Sequence, residues 1–242
     1  MIKGIIFDLG NTLLKFTGDR PTVRREGAAA MADWYLKKKH VKIDPDALIE
    51  AFLAEIAASQ QQASQTQTEV QAQDTLRRAL TEIDAPAAAT AHVEAALKIY
   101  FGPEEAASQP YPDAVDTLKK LFPDYRLGLC SNAADDPLIQ RLVNQGSLRP
   151  WLSPTFSSAG LGWRKPRPEP FQLIASRWEL SPAEIVVVGD TLAVDILGAH
   201  NAGMASVLVT MDESATNAQH RDIKPSATAS SLSALRGVIE QL

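Results

Sequence analysis

The chain has 242 residues, 45% hydrophobic and 22% charged, with a formal net charge of −5. That length suits one large domain or two modest ones, and it lets a sizeable core form. The mild acidity argues against a general nucleic-acid binder, no run approaches the roughly 18 apolar residues of a membrane span, and the single cysteine, Cys130, excludes an internal disulfide.

The opening "MIKGIIFDLG" is too short for a signal-peptide core and reaches a carboxylate at once, so the expected setting is the cytoplasm. Residues 2–7 predict a short buried strand that ends on Asp8. From about residue 20 to 102 the chain turns rich in Ala, Gln, Glu, Leu and Lys at helical spacing. "KKKH" at 37–40 reads as a solvated helix end. Asp44-Pro45 is an N-cap with proline at the first helical position, and Leu48, Phe52, Leu53 and Ile56 then share one face. "SQQQASQTQTEVQAQ", residues 59–73, reads as a polar helix face or a mobile connection. Gly102-Pro103 is expected to end a helix carrying Val93, Leu97 and Ile99.

From residue 112 the pattern alternates. "PDAVDTLKKLF", "DPLIQRLVNQG", "PEPFQLIASRWEL", "AVDILGAHNAG" and "SSLSALRGVIEQL" predict helices, and "YRLGLCS", "EIVVVGD" and "ASVLVT" predict strands. Strands separated by helices of 10–15 residues imply a parallel sheet covered on both faces. The fold class is therefore α/β, with a helical block inserted after the first strand.

Ligands of open parallel sheets collect at the carboxyl ends of the strands. Three predicted strands end there in polar groups: Asp8, then Ser131-Asn132, then Asp190-Thr191 with Asp195 following. Lys165 stands in a loop, "GWRKPRPEPF", before a helix. Carboxylates, a hydroxyl and a lysine converging on one edge suit a divalent cation and a phosphoryl group. Taken singly, each has a structural explanation as a turn former, a cap or a surface residue.

Taken in this order, "FDLGNTLL", "LGLCSNA", "GWRKPRPEPF" and "VVVGDTLAVDILGAHNAGM" resemble the four motifs of the haloacid dehalogenase superfamily, in the subclass with a helical cap after the first motif. The resemblance implies a Rossmann-like doubly wound parallel core, residues 1–14 and 105–242, with an all-α cap over 15–104 that closes over the site and selects a small phosphorylated substrate. It implies Asp8 as the nucleophile of an aspartyl-phosphate intermediate, and Mg²⁺ held by Asp8, the Gly10 carbonyl, Asp190 and Asp195. It implies Ser131 and Lys165 on the transferred phosphoryl group, with Thr12 and Asn132 in support. Nucleic acid and membrane are not expected partners.

One position departs from the pattern. Phosphatases of this superfamily carry a second Asp two residues after the nucleophile, to protonate the leaving group, and here that residue is Gly10. A positioned acid–base contributes about 10²–10⁴-fold in rate. Three readings stay open: a phosphatase that is slow or restricted to good leaving groups, a different hydrolysis on the same site (phosphonatase- or dehalogenase-like), and a phosphoryl- or partner-binding protein that keeps the fold. Metal-free dehalogenases lack a "GDTLAVD" segment, and phosphonatases use a cap lysine, for which Lys37, Lys38, Lys39, Lys42 and Lys98 are available. Arg20, Arg24 and Arg25 could meet an anionic substrate, though solvated helix positions account for them better; Trp163 and Arg164 flank Lys165.

Overall fold

The structure is a computed structural model, and it describes residues 1–38, 42–85, 92–212 and 215–242. Its contacts divide the chain into two compact units, Met1–Phe16 with Gln109–Leu242 and Thr17–Ser108.

The first unit is built on a six-stranded parallel sheet. In chain order the strands are β1 (Gly4–Phe7), β2 (Arg126–Ser131), β3 (Thr155–Ser157), β4 (Ile185–Gly189), β5 (Ala205–Val209) and β6 (Ala227–Ala229). They lie in the order β3-β2-β1-β4-β5-β6, the doubly wound arrangement in which β1 stands at the switch point. Register places Phe7 beside Leu129 on one side and Val188 on the other. The residues that follow β1 and β4, and the last residue of β2, therefore emerge on the same edge.

The central strands are buried along their whole length, which is why they read as apolar runs. The helix Glu169–Trp178 buries Phe171, Ile174 and Trp178 in one cluster with Ile6, Ile185 and Val187. Each such side chain contributes about 1.5–3 kcal/mol on burial. Trp178 also explains two glycines: a Cβ on Gly4 would lie 2.8 Å from the indole and one on Gly128 2.7 Å. The indole N–H donates to the Ser153 carbonyl at 2.9 Å.

The second unit is helical: Arg20–Lys38, Pro45–Thr66, Ala72–Glu82, Val93–Tyr100 and Gly102–Ala107. Asp44 caps the second of these through the N–H groups of Asp46 and Ala47, with Pro45 at the first position as the sequence implies. The Gln-rich stretch is in part the expected polar helix face, with buried positions in it. Residues 59–66 continue that helix, and Ser59 and Ala63 are buried. Ser59 Oγ shares a hydrogen bond with Thr75 Oγ1 at 2.9 Å and accepts one from Arg78 at 2.6 Å, so its polarity is satisfied inside. Gly102-Pro103 also does more than end a helix, because the next one begins at Gly102. Of "KKKH", Lys37 pairs with Asp33 at 2.6 Å, one helical turn away, while Lys39 and His40 lie outside the described residues. No helix among the described residues is long and apolar enough to cross a membrane.

Candidate active site

The site is assembled where β1, β2 and β4 end. Asp8 follows β1 directly, and its N–H donates to the Val188 carbonyl at 2.9 Å, which continues the ladder one step past the strand. The chain then turns tightly, with the N–H groups of Leu13 and Leu14 both reaching the Leu9 carbonyl at 2.9 Å. The left-handed residue of this turn is Asn11, at φ 53°, a conformation that asparagine tolerates. Gly10 is not in the left-handed region, and a Cβ there would meet nothing within 4 Å among the described residues.

β2 ends on Ser131, which is buried. Asn132, next in sequence, makes a reciprocal pair with the Lys165 main chain: its Nδ2 donates to the Lys165 carbonyl and its Oδ1 accepts the Lys165 N–H, both at 2.9 Å. This pair ties the end of β2 to the loop that carries the lysine, across 33 residues of sequence.

β4 ends on Gly189, and Asp190 and Thr191 lead into a wide π turn over Leu192–Ile196. A π turn is rare and is frequent at functional sites. It carries Asp195, whose Oδ2 accepts the Thr191 N–H at 3.1 Å.

Lys165 joins these elements. Its Nζ lies 2.6 Å from Asp8 Oδ1 and 2.6 Å from Asp195 Oδ1, and the residue is 4% exposed. Asp190 completes the group: Asp8, Asp190 and Asp195 each offer an oxygen, all within 4.8 Å of one another. One cation cannot neutralise three carboxylates in a desolvated space. Burial, reinforced by Asp195 and Asp190 and opposed by the Lys165 ammonium, pushes Asp8 up to about 7. Burial and the Asp195 charge push Asp190 up to about 6. Burial works against the Lys165 charge, but Asp195 and Asp8 outweigh it and hold the ammonium protonated. Thr12, within the turn itself, is fully buried, and its Oγ1 has no hydrogen-bond partner among the described residues. An orphaned buried hydroxyl costs about 1–3 kcal/mol.

The structure thus gathers Asp8, Lys165, Asp190 and Asp195 and ties Asn132 to Lys165. Of the candidate arginines, Arg25 pairs with Glu50 at 2.7 Å and Arg24 donates to Gln60 at 3.3 Å. Trp163 is exposed. Two features carry no sequence signal. Asp212 accepts from Lys15 at 3.2 Å and also from the Tyr111 hydroxyl. Asn217 bonds to the main chain on both sides of Thr191.

A model of haloacid dehalogenase-like hydrolases matches residues 2–203. Glyceraldehyde 3-phosphate phosphatases of Methanopyrus kandleri and Methanothermobacter thermautotrophicus are 33% identical over 118 residues and 30% identical over 122. Those matches take in 48% and 50% of this chain, which spans about half the length of these relatives, 50% and 54%. A phosphoglycolate phosphatase of Salmonella typhi is 26% identical over 215 residues, 86% of this chain and 81% of that one. The fold is shared with a 2-haloacid dehalogenase from Pseudomonas syringae pv. Tomato (TM-score 0.75, 24% identity, 100% of this chain and 99% of that one). It is shared also with a phosphatase from Thermococcus onnurineus (TM-score 0.64, 21% identity, 98% of each chain).

Proposed function

The chain belongs to the haloacid dehalogenase-like hydrolases, and from that premise we propose that it is a Mg²⁺-dependent phosphatase of a small phosphorylated metabolite, acting through an aspartyl-phosphate at Asp8. The observation that carries this reading is the convergence of Asp8, Asp190 and Asp195 to within 4.8 Å beside a buried lysine. Three carboxylates are more anionic charge than Lys165 offsets, and carboxylate oxygens are the ligands a hard divalent cation takes. The residues therefore fit Mg²⁺.

In this reading Asp8 and Asp190 hold the cation with the Gly10 carbonyl, which glycine retains. Asp195 acts chiefly on Lys165 and on the Thr191 N–H, to which its two oxygens are already bonded. Bound Mg²⁺ supplies positive charge against the phosphoryl oxygens and favours ionised Asp8. The Lys165 ammonium adds a fixed charge in a desolvated site, where it needs no reorganisation. The Ser131 hydroxyl donates to the same oxygens, with Thr12 in support from within the turn after Asp8, and Asn132 sets the lysine loop.

In this reading the bond changes are as follows. An Asp8 carboxylate oxygen attacks phosphorus and the ester P–O bond breaks. The leaving oxygen takes its proton from solvent, because position 10 has no acid. Water then cleaves the acyl phosphate, freeing phosphate and restoring Asp8. The missing acid favours substrates with good leaving groups.

The relatives' names point to glyceraldehyde 3-phosphate and phosphoglycolate as first substrates. Phosphate release from both is measured with Mg²⁺ and with EDTA, beside halide release from a 2-chloro acid. Mg²⁺-dependent phosphate release is the expected result. Halide release that persists in EDTA, with no phosphate formed, would replace this reading with the dehalogenase one.

A further inference from the structure

We infer that Asn217 is a positioning residue for the turn that presents Asp190, gripping the main chain on both sides of Thr191 with a single side-chain amide. The inference rests on the metal-dependent reading above. Asn217 Nδ2 donates to the Asp190 carbonyl at 2.8 Å, and Asn217 Oδ1 accepts the Leu192 N–H at 2.8 Å. One planar group thus spans the turn from which the Asp190 side chain projects.

The turn needs this support. Leu192 opens the π turn, and Thr191, at the cap position, gives no side-chain bond to the first N–H groups. Unsatisfied N–H groups at such an end must find a partner elsewhere. The Asp190 side chain is restrained locally, by a 3.2 Å hydrogen bond from the Thr191 hydroxyl and by one from its own N–H. Its direction is therefore set by its backbone, and its backbone is held by a residue 25 positions beyond Leu192.

The segment that carries Asn217 is itself anchored. Asn217 lies on a single tight turn, Ala215–Gln219. A little before it, Asp212 is bound by Lys15 at 3.2 Å and by the Tyr111 hydroxyl. The amide is also chemically matched to its task, since it must donate on one side of Thr191 and accept on the other. Neither a carboxylate nor a hydroxyl of that reach does both across this span.

Groups that orient a metal ligand typically change affinity by about 10–100-fold when removed. The test titrates Mg²⁺ calorimetrically into the full chain, into Asn217→Ala and into Gln219→Ala, an exposed neighbour on the same turn. Amide exchange of the segment containing Leu192 is followed in metal-free protein. In Asn217→Ala the Mg²⁺ dissociation constant is expected to rise about 10-fold, with faster exchange at Leu192. The Mg²⁺ half-saturation of activity should rise by the same factor, while kcat at saturating Mg²⁺ stays near wild type. Gln219→Ala should match wild type. If the alanine variant melts early, Asn217→Ser, too short to span the turn, is read in its place. A folded Asn217 variant that binds Mg²⁺ as tightly as wild type overturns the inference alone, as does equal weakening in Gln219→Ala. A wild-type chain that takes up no Mg²⁺ overturns the metal-dependent reading and the inference with it.

Discussion

The Asp195 carboxylate fills the space in which a side chain at Gly189 would begin. A Cβ built on Gly189 would lie 2.3 Å from Asp195 Cγ and 2.5 Å from Oδ2. The glycine that ends β4 is therefore a requirement of volume, and it lets the π turn fold back far enough for Asp195 to reach Lys165.

Gly189→Ala is accordingly expected to separate Asp195 from Lys165. Overpacking of a close contact costs about 1–3 kcal/mol, and the lost ion-pair geometry should lower phosphate release further. Denaturant unfolding and kcat/KM check the two effects separately. Wild-type stability with wild-type activity would show that the turn absorbs the methyl group.

Gly10→Asp is expected to fold and to raise activity. No described residue lies within 4 Å of a Cβ at position 10, and its backbone is outside the left-handed region, which falls on Asn11 instead. A carboxylic acid there restores a proton donor near the leaving oxygen. Alkyl phosphates, which need that proton, should gain most, by about 10²-fold, and a nitrophenyl phosphate less. A folded variant that gains on neither substrate would remove the lost-acid account of Gly10.

Lys165→Met should be strongly destabilising and increasingly so as pH rises. Removing one partner of a buried ion pair costs about 3–5 kcal/mol, and here it exposes three carboxylates to one another. At low pH they protonate and the cost shrinks. Denaturant unfolding at pH 5 and pH 8 tests this; an equal loss at both would mean that the lysine contributes packing and not charge.

Metal-free protein should lose stability as pH rises toward neutrality. Burial pushes Asp8 up to about 7 and Asp190 up to about 6 in the folded chain, above the ordinary carboxylate value of 3.8. A carboxyl whose folded pKa is raised contributes stability below its unfolded pKa and loses it as pH climbs through the folded one. The window is therefore about pH 4 to 7. Mg²⁺ binds the ionised groups, so its stabilisation should grow over the same range. Melts in EDTA and in Mg²⁺ from pH 5 to 8 read both trends, and Asp8→Asn should flatten them.

Much of this was legible before folding because it is local. Val186–Val188, β-branched and apolar, reads as a buried strand, and Asp44-Pro45 reads as a helix start with an apolar face behind it. The polar residues at the ends of three strands pointed to one edge because parallel strands share a direction. Two edge strands, Thr155–Ser157 and Ala227–Ala229, were not legible, since three residues are too few for a period. Ser59 looked like a surface residue, and its burial depends on Thr75 and Arg78 from another helix. Asn217 and the Asp212–Tyr111 contact join segments 25 and 101 residues apart, and no pattern of spacing announces them.

The most direct test of the account is phosphate release by Asp8→Asn beside wild type, with saturating Mg²⁺ and a thermal melt of each protein. The substitution keeps the shape of the carboxylate and removes its nucleophilic charge. The expected result is a folded variant whose phosphate release falls to the no-enzyme rate while wild type turns over. A folded variant that still releases phosphate well above that rate would contradict Asp8 as nucleophile, and with it the assignment of the Lys165-bridged carboxylates as a phosphoryl-transfer site.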